Sequence, residues 1–142
     1  LFRSRLRKLI DLSSKNKLRG RIDPEPSEIV ITSLDEKLIE NAIKYVEANI
    51  SRPELSVEEL SHELGMSRVH LYKKLLQITG KTPIEFIRII RLKRAAQLLR
   101  ESQRNVSEIA YEVGFNNPKY FSKYFKEEFG LLPSVYQEQE GK

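Results

Sequence analysis

Apolar positions recur every three to four residues over most of this chain and nowhere alternate with period two for long. In FRSRLRKLID, residues 2–11, the side chains Phe2, Leu6, Leu9 and Ile10 fall at i, i+4, i+7 and i+8, which predicts a short amphipathic helix. Serine, glycine and two prolines then interrupt any period over residues 12–32, a linker that contains the strand-like EIVIT at 28–32. Four helix starts follow, each a capping residue with glutamate three positions on: Ser33 with Glu36, Ser56 with Glu59, Thr82 with Glu85, and Asn105 with Glu108. Asn117 followed by Pro118 marks a fifth, with proline at the first helical position. Gly65, Gly80, Gly114 and Gly130 stand where helices should stop, because the left-handed residue that ends a helix is easiest for glycine. The pattern predicts an all-α fold.

The pattern also repeats. VEELSHELG (57–65) aligns with VSEIAYEVG (106–114) at an offset of 49, and HLYKKLLQITGKTP (70–83) with YFSKYFKEEFGLLP (120–133) at an offset of 50. Leu71 then matches Phe121, Leu75 matches Phe125, and Phe86 matches Tyr136. Each copy is a short helix, a glycine turn and a second helix, the helix-turn-helix unit. Between the copies, PIEFIRIIRLKRAAQLLR (83–100) carries Leu92, Ala95, Ala96 and Leu99 on one stripe, extended earlier by Phe86, Ile89 and Ile90. A helix of that length spans about 27 Å, close to the ~34 Å of one DNA turn. The expected organisation is 1–32 as the end of an upstream domain plus linker, 33–82 as a first helix-turn-helix subdomain, 83–101 as a connector helix, and 102–142 as a second subdomain.

Composition narrows the chemistry. With 142 residues, 39% hydrophobic and 32% charged, the chain suits one ordinary domain or two small helical ones with thin cores. It has no cysteine, which excludes disulfides, thiolate chemistry and Cys-based zinc sites and fits a reducing, cytoplasmic setting. No stretch of about 18 apolar residues is present to cross a membrane, and the start at Leu1 leads us to expect a piece of a longer protein. The net charge of +5 is less informative than its distribution. Residues 1–21 carry eight basic and one acidic side chain, 22–67 three and eleven, 68–104 ten and two, and 105–142 four and six. The basic block at 68–104 creates a local positive field whatever the total.

The second helix of a helix-turn-helix lies in the major groove with its N-terminal residues facing base edges. With Leu71 and Leu75 inward, Arg68, Val69, Tyr72 and Lys73 face outward in the first copy. With Phe121, Phe125 and Phe129 inward, Pro118, Lys119, Ser122 and Lys123 face outward in the second. A solvated helix face would look the same for any one lysine, but Lys73 and Lys123 occupy equivalent positions of two copies. Arg88, Arg91 and Arg94, three apart on the connector, fit either phosphate contacts or a solvated polar face. His62 and His70 are too few for a metal cage, and HELG lacks the second histidine of the zinc-protease motif. No metal site and no cofactor is expected. Without a cysteine nucleophile, a Walker P-loop or a dinucleotide-binding glycine pattern, this chain is not expected to be an enzyme. A helical protein-interaction module is the rival reading, although stacked solenoids need about three repeats or more and two are present here.

The segment from about Leu34 to Tyr136 resembles the AraC/XylS family of bacterial transcription regulators, and VSEIAYEVGFNNPKYFSKYFKEEFGLLPSVY resembles that family's signature across the second unit. The resemblance implies sequence-specific promoter binding by two helix-turn-helix units joined by a long helix. It aligns Val69, Tyr72 and Lys73, and Lys119, Ser122 and Lys123, with base-facing positions. Departures are Val69, which offers only methyl contact, Pro118, which reduces polar readout, and Gln137, where the family commonly has arginine for a phosphate. The first thirty residues resemble the last helix of a response-regulator receiver plus linker, as in hybrid two-component sensors. Double-stranded promoter DNA is therefore the expected partner, RNA polymerase and an upstream receiver domain are candidate protein partners, and a missing upstream part is a candidate histidine kinase.

Overall fold

The computed structural model describes residues 32–140; the helix expected at 2–11 and nearly all of the linker lie outside them. Seven helices occupy the described residues, with no strand among them: α1 (Ser33–Ala48), α2 (Val57–Glu63), α3 (Arg68–Thr79), α4 (Pro83–Glu101), α5 (Val106–Glu112), α6 (Pro118–Phe129) and α7 (Pro133–Glu140). No described helix is long and apolar enough to cross a membrane.

The caps explain most helix starts. Thr82 and Glu85 exchange side-chain-to-backbone hydrogen bonds at the start of α4 (2.9 and 3.3 Å), and Asn105 and Glu108 do the same for α5 (3.1 and 2.8 Å). The Ser56 hydroxyl accepts from the Glu59 N–H, while the Glu59 carboxylate accepts the Tyr45 hydroxyl. Asn117 accepts from the Lys119 N–H, with Pro118 opening α6. The start of α1 differs from expectation by one residue. Its cap is Thr32, which accepts from the Asp35 N–H (3.1 Å) while Asp35 accepts from the Thr32 N–H (3.2 Å), in place of Ser33 and Glu36. Asp35 wins because its other oxygen also meets Lys74 Nζ at 3.1 Å, a partner that Glu36, exposed one position on, does not share. Gly65, Gly80, Gly114 and Gly130 all have positive φ, as their place after helices requires.

The described chain forms two compact units, 32–45 with 56–86, and 46–55 with 87–140. In the first, Ile39, Ala42, Ile43, Leu60, Leu71, Leu75, Ile78 and Phe86 are buried. Leu71 and Leu75 are therefore the inward side of α3. The second unit is built on Leu92, Ala95, Ala96 and Leu99 of α4, Ile109, Ala110 and Val113, and Phe121 and Phe125 of α6. Phe129 and Tyr136 pack at its margin, with the Phe125 ring 4.5 Å from Phe129 and 5.3 Å from Tyr136 between centroids. The rings of α6 are thus mainly structural, contributing edge and tilted contacts beyond their area. The helix α4 runs unbroken for 19 residues, of which the first four belong to the first unit and the rest to the second.

Candidate nucleic-acid interface

In the first unit Ser67 fixes where α3 begins, its hydroxyl accepting from the His70 N–H at 3.1 Å. Burying Leu71, Leu75 and Ile78 turns the opposite side of the first two turns outward at 3.6 residues per turn. Arg68, Val69, Tyr72 and Lys73 are all exposed there, Val69 at 65% and Tyr72 at 48%. The adjacent Lys74 points the other way, to Asp35. Burial raises the Asp35 pKa, but hydrogen bonds from Thr32 and Lys74 outweigh it and hold the carboxyl below its ordinary value. The neighbouring lysines have separate work: Lys74 ties α3 to α1, and Lys73 is left to solvent.

Those four outward residues line one groove of about 680 Å³, together with Val57, Thr82, Pro83 and Ile84. Ile84, 62% exposed, is a residue the sequence reading missed. It had a signal: it lies two residues, about 200° around the helix, from the fully buried Phe86.

In the second unit the same construction holds on α6. Phe121 and Phe125 are buried, Lys119 and Lys123 are exposed, and Pro118 and Ser122 are half-buried. Lys123 Nζ stands 5.6 Å from the centroid of the Tyr124 ring, whose face is covered by the Arg88 guanidinium at 3.9 Å. Each unit therefore gathers its own four candidate residues on the opening turns of one helix.

A family model described as "Helix-turn-helix domain" matches residues 60–139, across both copies of the repeat. The chain belongs to the AraC-type helix-turn-helix family. It is 46% identical over 138 residues to histidine kinase P4 of Formosa agariphila, covering 96% of this chain and only 10% of that protein's length. Among solved structures it is similar to an AraC-type transcriptional regulator from Chromobacterium violaceum (26% identity, TM-score 0.71, covering 78% of this chain and 98% of the other). It is also similar to the C-terminal domain of AraT, a response regulator from Geobacillus stearothermophilus (30% identity, TM-score 0.66, covering 72% and 84%).

The arginine row of this AraC-type chain divides three ways. Arg94 is exposed and donates to Gln97 (2.9 Å), and Arg88 lies on Tyr124. Arg91 is neither a phosphate ligand nor part of a solvated face. It is 6% exposed and donates to three carbonyls of the second unit, those of Ile50 (3.0 Å), Val113 (2.9 Å) and Arg52 (2.9 Å). Burial pulls its pKa down, against the opposing pull of Glu54. Gln137, which stands where the family commonly has arginine and so puts a phosphate contact there in doubt, donates to the Arg104 carbonyl at 2.8 Å. His62 and His70 are exposed, and no group of three or more potential metal ligands occurs among the described residues.

Proposed function

We propose that this chain is the promoter-binding output of a longer bacterial regulator, reading double-stranded DNA with α3 and α6. The observation that carries this reading is the repeated placement of an exposed lysine two residues after a buried anchor, Lys73 after Leu71 and Lys123 after Phe121. Arg68, Val69, Tyr72 and Lys73 meet base edges in one half-site, and Pro118, Lys119, Ser122 and Lys123 in the other. Because the two sets differ, the site for one chain is asymmetric. The 19 residues of α4 correspond to about 28 Å of helix, which suits two successive major-groove segments about 34 Å apart. Functionally the chain divides into a first reading subdomain at 33–82, a connector at 83–101 and a second reading subdomain at 102–142.

The likeness to a histidine kinase and to the C-terminal domain of a response regulator supports a two-component setting. We further propose a receiver domain upstream, kinase activity confined to other parts of the protein, and a cytoplasmic location where RNA polymerase is the regulated partner. The chain itself acts by binding, without a cofactor. Selection of genomic fragments bound by the chain, followed by titration at several salt concentrations, tests this. A recurrent asymmetric sequence whose affinity falls steeply with salt is expected. No duplex retained at about 50 mM salt would instead favour a helical protein-interaction module.

A further inference from the structure

The groove of the first unit is unusual for a surface that meets DNA, because three of the exposed side chains that line it are large hydrophobics. Val69 is 65% exposed, Ile84 62% and Tyr72 48%, and all three converge on one cleft with Arg68 and Lys73. Single exposed apolar residues are ordinary on protein surfaces; three on one groove beside two cations are a constellation. Val69 can neither donate nor accept a hydrogen bond, and it sits on the first turn of the reading helix. The cations suit a polyanion, and the apolar feature that base edges present in the major groove is the thymine C5-methyl group. We infer that the first unit selects its half-site through thymine methyl groups packed against Val69 and Ile84, an inference that rests on the DNA-reading function proposed above. Tyr72 forms a further wall of the cleft and helps to exclude water from the contact.

The repeat supplies an internal comparison. At the positions matching Val69, Tyr72 and Ile84, the second unit has Lys119, Ser122 and Ser134, each of which ends in a charged or hydroxyl group where Val69 and Ile84 end in methyls. Dependence on thymine methyls therefore belongs to one half-site.

The test uses the 142-residue chain and the duplex it selects, with each thymine in turn replaced by deoxyuridine, which removes the methyl and keeps every hydrogen-bonding group. At one or two positions of the first half-site, loss of the methyl should weaken binding about fourfold, the factor that ~0.8 kcal/mol of apolar transfer gives at 1.4 kcal/mol per decade. Uridine in the second half-site should change affinity less than about 1.5-fold. Val69→Ala and Ile84→Ala, both exposed and so harmless to the core, should bind more weakly and lose the uridine effect. If wild type binds its selected sequence equally well with uridine throughout the first half-site, methyl readout is wrong while DNA reading stands. Undiminished uridine sensitivity in both variants also overturns the assignment. Failure to bind any duplex specifically removes both readings.

Discussion

Gly114→Ala tests how the second unit is held together. Gly114 has φ +92, and a Cβ added there would fall on Arg91 Nη1 and against the Ile50 carbonyl oxygen. The substitution therefore does two things. It places a side chain in a left-handed conformation, at roughly 1–2 kcal/mol, and it drives the buried guanidinium from the carbonyls of Ile50, Arg52 and Val113. Hydrogen bonds to a charged group contribute about 1.5–3 kcal/mol each, but water recovers part of that, so stripping this cation of its partners should cost about 3–5 kcal/mol. The total, about 4–7 kcal/mol, is a large share of the 5–15 kcal/mol that holds a typical domain folded. Gly65→Ala is the control. That glycine occupies the matching turn of the first copy with φ +70, and a Cβ there meets nothing within 4 Å, so only the roughly 1–2 kcal/mol of backbone strain applies. Urea unfolding followed by far-UV circular dichroism measures both. A difference below about 1 kcal/mol between the variants would refute the role given to Arg91. Combining Arg91→Ala with Gly114→Ala should be less than additive by more than about 1 kcal/mol, because the guanidinium is lost only once.

Lys73→Ala and Lys123→Ala should each weaken binding to the selected duplex by about 1–3 kcal/mol; titrations in which both match wild type, with the same preferred sequence, would show that the reading helices are misassigned. Inserting about five base pairs, half a turn, between the two half-sites should reduce affinity to that of a single unit, and unchanged binding would mean that one unit reads DNA alone. Asp35 has a folded-state pKa below its ordinary value of 3.8, so its contribution is complete above that value and fades as the pH falls through the lower folded-state value. Asp35→Asn should accordingly destabilise the first unit at neutral pH and flatten the acid end of its stability profile; an acid limb as steep as that of wild type in pH-dependent unfolding would contradict this.

Much of this protein is written in short-range signals. The capping pairs Thr82 with Glu85 and Asn105 with Glu108 act across three residues, the glycine stops act within one turn, and Leu71, Leu75, Phe121 and Phe125 follow the helical period. Such features depend on neighbours close in the chain, so the all-α fold, the repeat and the outward lysines are legible in the amino-acid sequence alone. Exposure of Arg68, Val69, Tyr72, Lys73, Lys119 and Lys123 follows from the same period, since burying one side of a helix leaves the other to solvent, whereas Pro118 and Ser122 are half-buried in the folded unit.

Tertiary structure decided the rest, where chemically similar residues compete for distant partners. Thr32 and Asp35 rather than Ser33 and Glu36 cap α1, because Lys74 lies 39 positions away in sequence and on Asp35 in space. Arg88, Arg91 and Arg94 are indistinguishable by spacing. Three steps of sequence rotate each by about 300°, so only one of them reaches the carbonyls of Ile50, Arg52 and Val113, which are 22 to 41 positions distant. Ile84 stands about 200° around α4 from the buried Phe86, but only packing brings it into one groove with Val69 and Tyr72. Local sequence specifies which helices form and which side each buries; only the folded chain specifies which of several equal side chains finds the long-range partner.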